Sequence, residues 1–180
     1  MNAFEDIVRR YLEEEGYWVR QSVKVYISKQ DKVKIGTYSM PTPEIDLVAL
    51  DVERNELLLV EAKSFLDSYG VWLEAVTGED TEAGRRYKLF TDSAFRKSVT
   101  ETLKTDYLKR GLINQDTDIK YALAAGHIHS GNEESIEKYF DKRHWILFKP
   151  NQIKEYVEKL SSKGWEDDIA TITAKLLLRD

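Results

Sequence analysis

The sequence contains no cysteine and only three histidines. The absence of cysteine excludes disulfide bridges and thiolate zinc sites, and it makes the cytoplasm the expected location. No apolar run approaches the roughly 18 residues that a membrane span requires, so we expect no contact with a membrane. The first ten residues contain acids and no apolar h-region, which argues against a signal peptide. The glycine-rich phosphate motifs G-x-x-x-x-G-K-[ST] and G-x-G-x-x-G are also missing, so no motif indicates a bound nucleotide.

The residues that are present indicate one globular domain. Of the 180 residues, 42% are apolar, and four Trp and ten Tyr add large side chains, so a sizeable core can form. The length suits one domain, and we therefore expect residues 1–180 to fold as a single unit.

The charges divide unevenly along the chain. Residues 1–84 hold nine Lys and Arg against 17 Asp and Glu, whereas residues 85–110 hold eight against three. An acidic region beside a basic one is the arrangement that a metal site next to a polyanion groove requires. The alternative is that the helix expected over residues 95–110 has a basic face in solvent.

Apolar periodicity and turn residues predict an α/β fold in which helices flank a mixed central sheet. The predicted helices cover residues 3–15, 95–110, 133–141, 150–162 and 166–178. The predicted strands cover residues 17–27, 44–50, 57–65, 118–126 and 144–148, with a further short strand at 33–38. Residues 66–94 are interpreted as a turn, an ambiguous apolar segment and a long surface loop. The core then spans about residues 3–148, and residues 150–180 form a helical C-terminal extension.

Glu61 and Lys63 stand at the end of an apolar run. Residues 57–60 read Leu-Leu-Leu-Val, which is typical of a strand buried on both faces, and the sequence continues Glu-Ala-Lys. Buried Glu and Lys side chains are rare unless they are paired, so an ion pair at the strand end is one explanation. The other explanation is a site that uses both charges.

The expected hairpin brings a second carboxylate to these two residues. A two-residue turn at 54–55, or a four-residue loop with the same centre, pairs Asp46 with Lys63 and Val48 with Glu61. Directly opposed residues share a face of the sheet, and so do residues two apart. We therefore expect Asp46, Glu61 and Lys63 on one side, with the two acids roughly 7–8 Å apart as diagonal neighbours.

Two carboxylates and a lysine on one face support phosphodiester hydrolysis. Asp46 and Glu61 can share one Mg²⁺, a cation that prefers oxygen ligands. A bound Mg²⁺ holds a phosphate oxygen and activates a water molecule as the nucleophile. Burial and the nearby metal lower the pKa of a lysine, so Lys63 could orient or deprotonate that water.

The motif "PEID…VEAK" and the element order αβββαβ resemble the PD-(D/E)xK nuclease superfamily, which has the restriction-endonuclease-like fold. The resemblance covers about residues 3–148. It implies that Asp46 and Glu61 are metal ligands, that Lys63 is catalytic, and that the backbone carbonyl of Ala62 is a further ligand. The implied cofactor is Mg²⁺, with Mn²⁺ as a substitute, and the implied partner is nucleic acid, most simply DNA.

Two further acids are candidates for the same site. The motif departs from the family's pattern because two residues separate the proline from Asp46, and one of them, Glu44, would share the face of Asp46. Many members of the superfamily carry another acid on the first helix, and "FEDIVRRYLEEEGYWV" resembles that segment. This resemblance implies a catalytic role for Glu5. Alternatively, Asn2 and Glu5 have the spacing of a capping box.

Phosphate contacts are expected from the basic stretch that follows residue 84. Arg and Lys neutralise backbone charge, and Tyr87 or Phe90 would stack on bases. The candidates for substrate binding are Arg85, Arg86, Lys88, Arg96 and Lys97. A solvated loop and helix would explain the same residues without any partner.

Two other features allow more than one interpretation. His127 and His129 are two residues apart at a strand end, as in some zinc sites, but the sequence offers no evident third ligand, so a polar rim or substrate contact is favoured. Ile169, Ile172 and Leu176 form an apolar stripe on the last helix, for which core packing is favoured over the seam of a homodimer.

The expected function is that of a Mg²⁺-dependent DNA endonuclease of restriction or repair type. One alternative is a catalytically inactive module that keeps the nuclease fold and binds nucleic acid or protein. Another is an interaction protein in which Glu61 and Lys63 are merely an ion pair.

Overall fold

The chain forms a five-stranded mixed sheet with helices on both faces. The computed structural model describes residues 2–35, 39, 41–78 and 81–178. The strands are β1 (Trp18–Lys24), β2 (Glu44–Asp51), β3 (Glu56–Lys63), β4 (Asp118–Ala125) and β5 (Ile146–Phe148). They lie in the order β1-β2-β3-β4-β5, with antiparallel pairing from β1 to β3 and parallel pairing from β3 to β5. The predicted α/β class with a mixed central sheet is therefore confirmed.

The residues that the structure describes include eight α-helices. They are α1 (Ala3–Glu14), α2 (Lys29–Lys34), α3 (Leu73–Thr77), α4 (Lys88–Thr91), α5 (Ser93–Lys109), α6 (Glu133–Asp141), α7 (Pro150–Ser162) and α8 (Ile169–Leu178). A 3₁₀ turn, Gly84–Tyr87, precedes α4. Among the described residues, no helix combines the length and apolar character that crossing a bilayer would require.

The central strand β3 is buried on both faces, which explains its run of four apolar residues. Leu57 and Leu59 contribute to the core that contains Val99 of α5. Leu58 and Val60 contribute to the opposite core, under α1. Because side chains alternate between faces, Glu61 and Lys63 continue the row of Leu57 and Leu59.

The β2–β3 turn comprises residues 52–55, closed by the pair Asp51 and Glu56. Asp51 Oδ1 accepts a hydrogen bond from the Arg54 N–H at 2.9 Å. Asn55 has a φ of 52°, in the left-handed region that Asn tolerates better than most residues. The Asn55 side chain also accepts from Thr117 Oγ1 at 2.8 Å, which ties the turn to the start of β4.

Two predictions for the loops are wrong. The segment expected to be a surface loop is helical over residues 84–91, and Tyr87, Leu89 and Phe90 are buried there. The polar residues of this segment are typical of a loop, but its apolar residues are spaced so that they pack onto the core. The short strand expected at 33–38 is also wrong where it can be judged, because α2 reaches Lys34, with Ser28 as its N-cap. Residues 36–38 lie outside the described residues.

The prediction that the apolar stripe of the last helix packs in the core is wrong. Ile169 and Leu176 are 86% and 79% exposed, and Ile172 is exposed as well. The buried residues of α8 are Thr171 and Ala174, which face α7. Small side chains allow the two helices to approach closely, so the large apolar residues of α8 point away. A homodimer stays a prediction.

Candidate active site

Asp46, Glu61 and Lys63 come together where the pairing of β2 with β3 ends. Backbone pairing runs from Asp51 opposite Glu56 to Leu47 opposite Val60. Regular alternation of β2 ends near Asp46, because Ile45 and Val48 belong to one core while Leu47 belongs to the other. The turn has four residues, an even number, but the placement of all three side chains on one face stays a prediction.

The predicted pairing itself is wrong by two residues. Val48 lies opposite Leu59 rather than Glu61, and Asp46 does not pair with Lys63. The reason is the position of the turn: it is centred one residue earlier than expected, because Asp51 and Asn55 supply its hydrogen bonds.

Asp46 is fixed by a backbone hydrogen bond at the point where the hairpin pairing ends. The Ala62 N–H donates to Asp46 Oδ2 at 2.8 Å. One oxygen is thus held against β3, and Asp46 is only partly exposed. The amide of Ala62 therefore orients Asp46, while the predicted role of the Ala62 carbonyl as a metal ligand stays a prediction.

Glu61 and Lys63 form an ion pair between Glu61 Oε1 and Lys63 Nζ. Their side chains are 17% and 20% exposed, so both charges are largely removed from water. Lys63 Nζ also lies 5.9 Å from the centre of the Tyr87 ring, within the range of a cation–π contact. Lys63 is therefore held between a carboxylate and an aromatic face.

The negative charges in this cluster exceed the positive ones. Burial raises the pKa of Asp46; the hydrogen bond from Ala62 and the charge of Lys63 oppose it, and the charge of Glu44 adds to it. Burial also raises the pKa of Glu61, where the charge of Lys63 opposes it and the charges of Asp46 and Glu5 add to it. The lysine does not offset the burial and mutual repulsion of the acids, so the site would be stabilised by a further cation.

Glu5 reaches the same cluster from α1, on the other face of the sheet. Burial and the charge of Asp46 raise the pKa of Glu5. The first turn of α1 is held close to the sheet because Gly126 leaves room for it: a Cβ there would lie 3.0 Å from Cε2 of Phe4. Asn2 caps the helix by accepting from the Phe4 N–H at 3.0 Å. A backbone hydrogen bond from Asn2 also lowers the pKa of Glu5, so Glu5 has both the capping contact and the charge coupling.

The donor atoms of this cluster suit a hard cation. Asp46 and Glu61 supply carboxylate oxygens, and Mg²⁺ is commonly bound through one or two carboxylates while it keeps several waters. Within the described residues, no three Asp, Glu, His or Cys side chains already form a ligand set. Mg²⁺ at this position would therefore rely on two carboxylates and on water or backbone oxygens.

The five basic residues predicted to bind substrate differ in their contacts within the structure. Arg85 and Arg86 are exposed beside Tyr87. Lys88 lies over the ring of Phe95, with 5.7 Å between Nζ and the ring centre. All three remain predicted phosphate contacts.

Arg96 and Lys97 have other partners in the structure. The guanidinium of Arg96 donates to the carbonyls of Leu89 and Phe90 at 3.0 and 3.1 Å, and its Cζ lies 5.0 Å from the centre of a Trp145 ring. These contacts fasten α4 to α5. Lys97 forms an ion pair with Glu101 at 3.8 Å. A contact of either residue with substrate stays a prediction.

The expected aromatic contacts need one correction. Phe90 is 3% exposed and packs between Phe140 and Trp145, so it cannot stack on a base without unfolding the core. Tyr87 is buried as well, but its ring lies against Lys63 and lines a cavity. The sequence interpretation missed Tyr69 and Trp72, which line the same cavity. The available signal was one aromatic residue within the turn at 66–70 and another two residues after it.

The two histidines hold the segment that follows β3. His127 Nδ1 lies 3.0 Å from the carbonyl of Ser68 and 3.3 Å from that of Phe65. His129 Nδ1 lies 3.1 Å from the carbonyl of Ser130. Within the described residues these contacts anchor loops and involve no cluster of metal-ligating side chains.

Comparisons of the chain with protein-family models, curated proteins and solved structures found no match. The interpretation of the site therefore depends on its own geometry.

Proposed function

We propose that the protein is a metal-dependent nuclease that hydrolyses phosphodiester bonds, with DNA as its substrate. The observation that carries the proposal is the convergence of Asp46, Glu61 and Lys63 at the end of β3, where Asp46 is bound to the Ala62 amide between the two other residues. The resemblance of "PEID…VEAK" to the PD-(D/E)xK superfamily supports the same assignment.

The excess of carboxylates is the feature that favours a catalytic site over an isolated ion pair. Asp46 and Glu61 would hold Mg²⁺, or Mn²⁺ in its place, through their free carboxylate oxygens. The bound metal supplies Lewis-acid stabilisation of the phosphate and a more acidic water. Asp46 is already oriented by the Ala62 amide at 2.8 Å, so its carboxylate needs little reorganisation.

Lys63 has the position to act on the attacking water or on the charge that develops at phosphorus. It is held by Glu61 and by the Tyr87 ring. Coordination of Glu61 would weaken the ion pair and release Lys63 Nζ toward the substrate. Glu5, which is charge-coupled to Asp46 and Glu61, would orient water at the same site. Arg85 and Arg86, which are exposed beside Tyr87, would contact the phosphate backbone.

The proposal is tested by incubating the protein with plasmid and single-stranded DNA in Mg²⁺, Mn²⁺ or EDTA. We expect cleavage with either metal and none in EDTA. Lys63→Ala should abolish cleavage, whereas Lys120→Ala, which removes the lysine of another Glu–Lys pair, should retain it. Absence of cleavage with every metal, or equal cleavage by Lys63→Ala, would contradict the proposal in favour of an inactive module with the same site.

A further inference from the structure

A cavity of about 410 Å³ adjoins the candidate active site. The segment after β3, the helix α3 and the 3₁₀ turn before α4 form its walls. Aromatic side chains dominate the lining, with an acid and a base beside them: Phe65, Tyr69, Trp72, Glu82, Arg86 and Tyr87. The volume lies within the range of about 300–1,000 Å³ that is typical of small-ligand sites, which are mostly apolar with a few polar groups.

The wall after β3 is held in place by backbone contacts. The Val71 N–H donates to the His127 carbonyl at 3.0 Å, and the His129 N–H donates to the Val71 carbonyl at 2.8 Å. Gly70 has a φ of 83°, and a Cβ there would lie 2.9 Å from the His129 nitrogen and 3.0 Å from the His127 oxygen. Any other residue at this position would push the wall away, so this wall of the cavity requires glycine at position 70.

Two aromatic residues of the cavity lining are exposed to solvent. Tyr69 is 78% exposed and Trp72 is 40% exposed. The ring centre of His129 lies 6.4 Å from that of Tyr69 and 6.3 Å from that of Trp72. Large exposed aromatic surface around a concave site indicates a ligand that covers it. Flat faces grouped in this way suit a flat ligand.

The inner wall of the cavity connects it to the catalytic trio. Tyr87 lines the cavity, and its ring centre lies 5.9 Å from Lys63 Nζ. Arg86, next in the chain, adds a positive charge to the lining. A planar ligand attached to a phosphate at Lys63 would therefore place its ring among Tyr69, Trp72 and Tyr87.

We propose that this cavity holds an unpaired nucleobase next to the cleaved phosphate, so that the substrate is single-stranded DNA or DNA with an unpaired nucleotide at the cleavage position. This inference rests on the proposed function, because that function supplies the phosphate at Lys63. A base within a duplex must first be unpaired and unstacked before it can enter, so an unpaired base is favoured. Stacking between a base and an aromatic side chain tolerates any base, so the cavity selects for strandedness rather than sequence.

The inference is tested by binding measurements in EDTA, where the proposed cleavage cannot occur. Labelled single-stranded DNA, a duplex of the same sequence and an abasic single strand are titrated with the full chain, and fluorescence anisotropy is recorded. We expect the single strand to bind about tenfold or more tighter than either of the other two. Equal affinity for the single strand and the abasic strand would overturn the inference, because it would show that only the backbone is recognised.

Variants separate the cavity from the rest of the surface. Trp72→Ala and Tyr69→Ala should each weaken binding of the single strand by roughly 5- to 100-fold. The matched control is Trp18→Ala: Trp18 is 76% exposed and pairs with Leu50, near the other end of the hairpin, so its loss should change affinity less than about twofold. A thermal melt of each variant checks folding, and Tyr69→Ala is the safer of the two because Tyr69 is the more exposed.

The outcomes distinguish this inference from the proposed function. If the protein cleaves no DNA but binds it in a way that depends on the base and on Trp72, the result would support the base-binding cavity and contradict the proposed nuclease activity. The opposite outcome is cleavage that requires Lys63 but is equally fast on single strands and duplexes, in both the wild type and Trp72→Ala. That result would support the nuclease and overturn the cavity inference.

Discussion

The two ends of β3 each carry a glutamate paired with a lysine, but their surroundings differ. At the start of the strand, Glu56 accepts a hydrogen bond from the Tyr17 hydroxyl at 3.1 Å and forms an ion pair with Lys120. At its end, Glu61 forms an ion pair with Lys63 while Asp46 lies across the hairpin. Glu56 is 9% exposed and Glu61 17% exposed, so burial alone does not distinguish them.

The distinction lies in how completely each carboxylate is compensated. Glu56 has a hydroxyl on one oxygen and an ammonium on the other, and the hydrogen bond to Glu56 raises the pKa of Lys120. Glu61 shares its lysine with a second buried carboxylate, and the pKa values of both acids are raised. A glutamate–lysine pair at a strand end is thus compatible with a purely structural role. An uncompensated carboxylate beside it is what indicates a site for a cation.

The largest difference is expected in catalysis, and matched substitutions on the same strand would reveal it. Glu61→Gln should lower the cleavage rate by about 10²- to 10⁴-fold, because it removes a proposed metal ligand and the partner of Lys63. Glu56→Gln should change the rate by less than about twofold. Initial rates of plasmid nicking in Mg²⁺ measure both. Similar losses in the two variants would show that the ends of β3 do not differ in function.

Most of the helices and strands could be predicted from the sequence because their signals are local. The four apolar residues of β3, the Pro at the start of α7 and the Gly after α5 each identify an element without knowledge of its neighbours. Residues 84–91 could not be predicted, since their charged residues resemble a loop and their burial depends on α5 and α6. The stripe of α8 was misread for a related reason: periodicity shows that a helix has two faces but not which face a neighbour covers.

The sequence predicts which residues form the candidate site, but it does not predict the register of the hairpin or the contacts around the site. The parity of the β2–β3 turn can be judged from the sequence, and it predicts that Asp46, Glu61 and Lys63 lie on one face. The centre of the turn depends on Asp51 and Asn55, whose hydrogen bonds decide between registers two residues apart. The contacts of Tyr87 and Trp72 with the site depend on the path of the chain between β3 and α5, which carries no regular pattern.

The second difference is expected in stability, with opposite signs at the two ends. Asp46→Asn should raise the free energy of unfolding at neutral pH by about 0.5–2 kcal/mol, because it removes a buried charge that repels Glu61 and keeps an acceptor for the Ala62 amide. Glu56→Gln should lower the free energy of unfolding by about 1–3 kcal/mol, because it weakens contacts with Tyr17 and Lys120. Urea titrations without divalent cations measure both changes. Destabilisation by Asp46→Asn would indicate that this carboxylate is compensated after all.

The third difference is expected in the response to divalent cations. Mg²⁺ at about ten times its dissociation constant should stabilise the wild type by about 1.4 kcal/mol. That corresponds to a rise of about 3–6 °C in Tm for a chain of this size. The rise should disappear in Asp46→Asn and persist in Glu56→Gln. Thermal melts with Mg²⁺, with Ca²⁺ and with matched ionic strength from NaCl measure it. An equal rise in both variants would place any bound cation away from Asp46.

The smallest difference concerns alkaline pH and tests the compensated end of β3. Burial, followed by the charge and hydrogen bond of Glu56, raises the pKa of Tyr17 from 10.0 to about 12. The folded state therefore keeps this proton longer than the unfolded chain, so the contribution is fully present below pH 10 and is lost as the pH rises toward 12. Tyr17→Phe should cost about 1 kcal/mol of unfolding free energy at pH 8, and this cost should shrink between pH 10 and 12. Urea titrations of both proteins across this range measure it, and Tyr26→Phe, at a 75% exposed tyrosine, is the control. No cost at any pH would mean that the Tyr17 hydroxyl contributes nothing to stability and that Lys120 alone compensates Glu56.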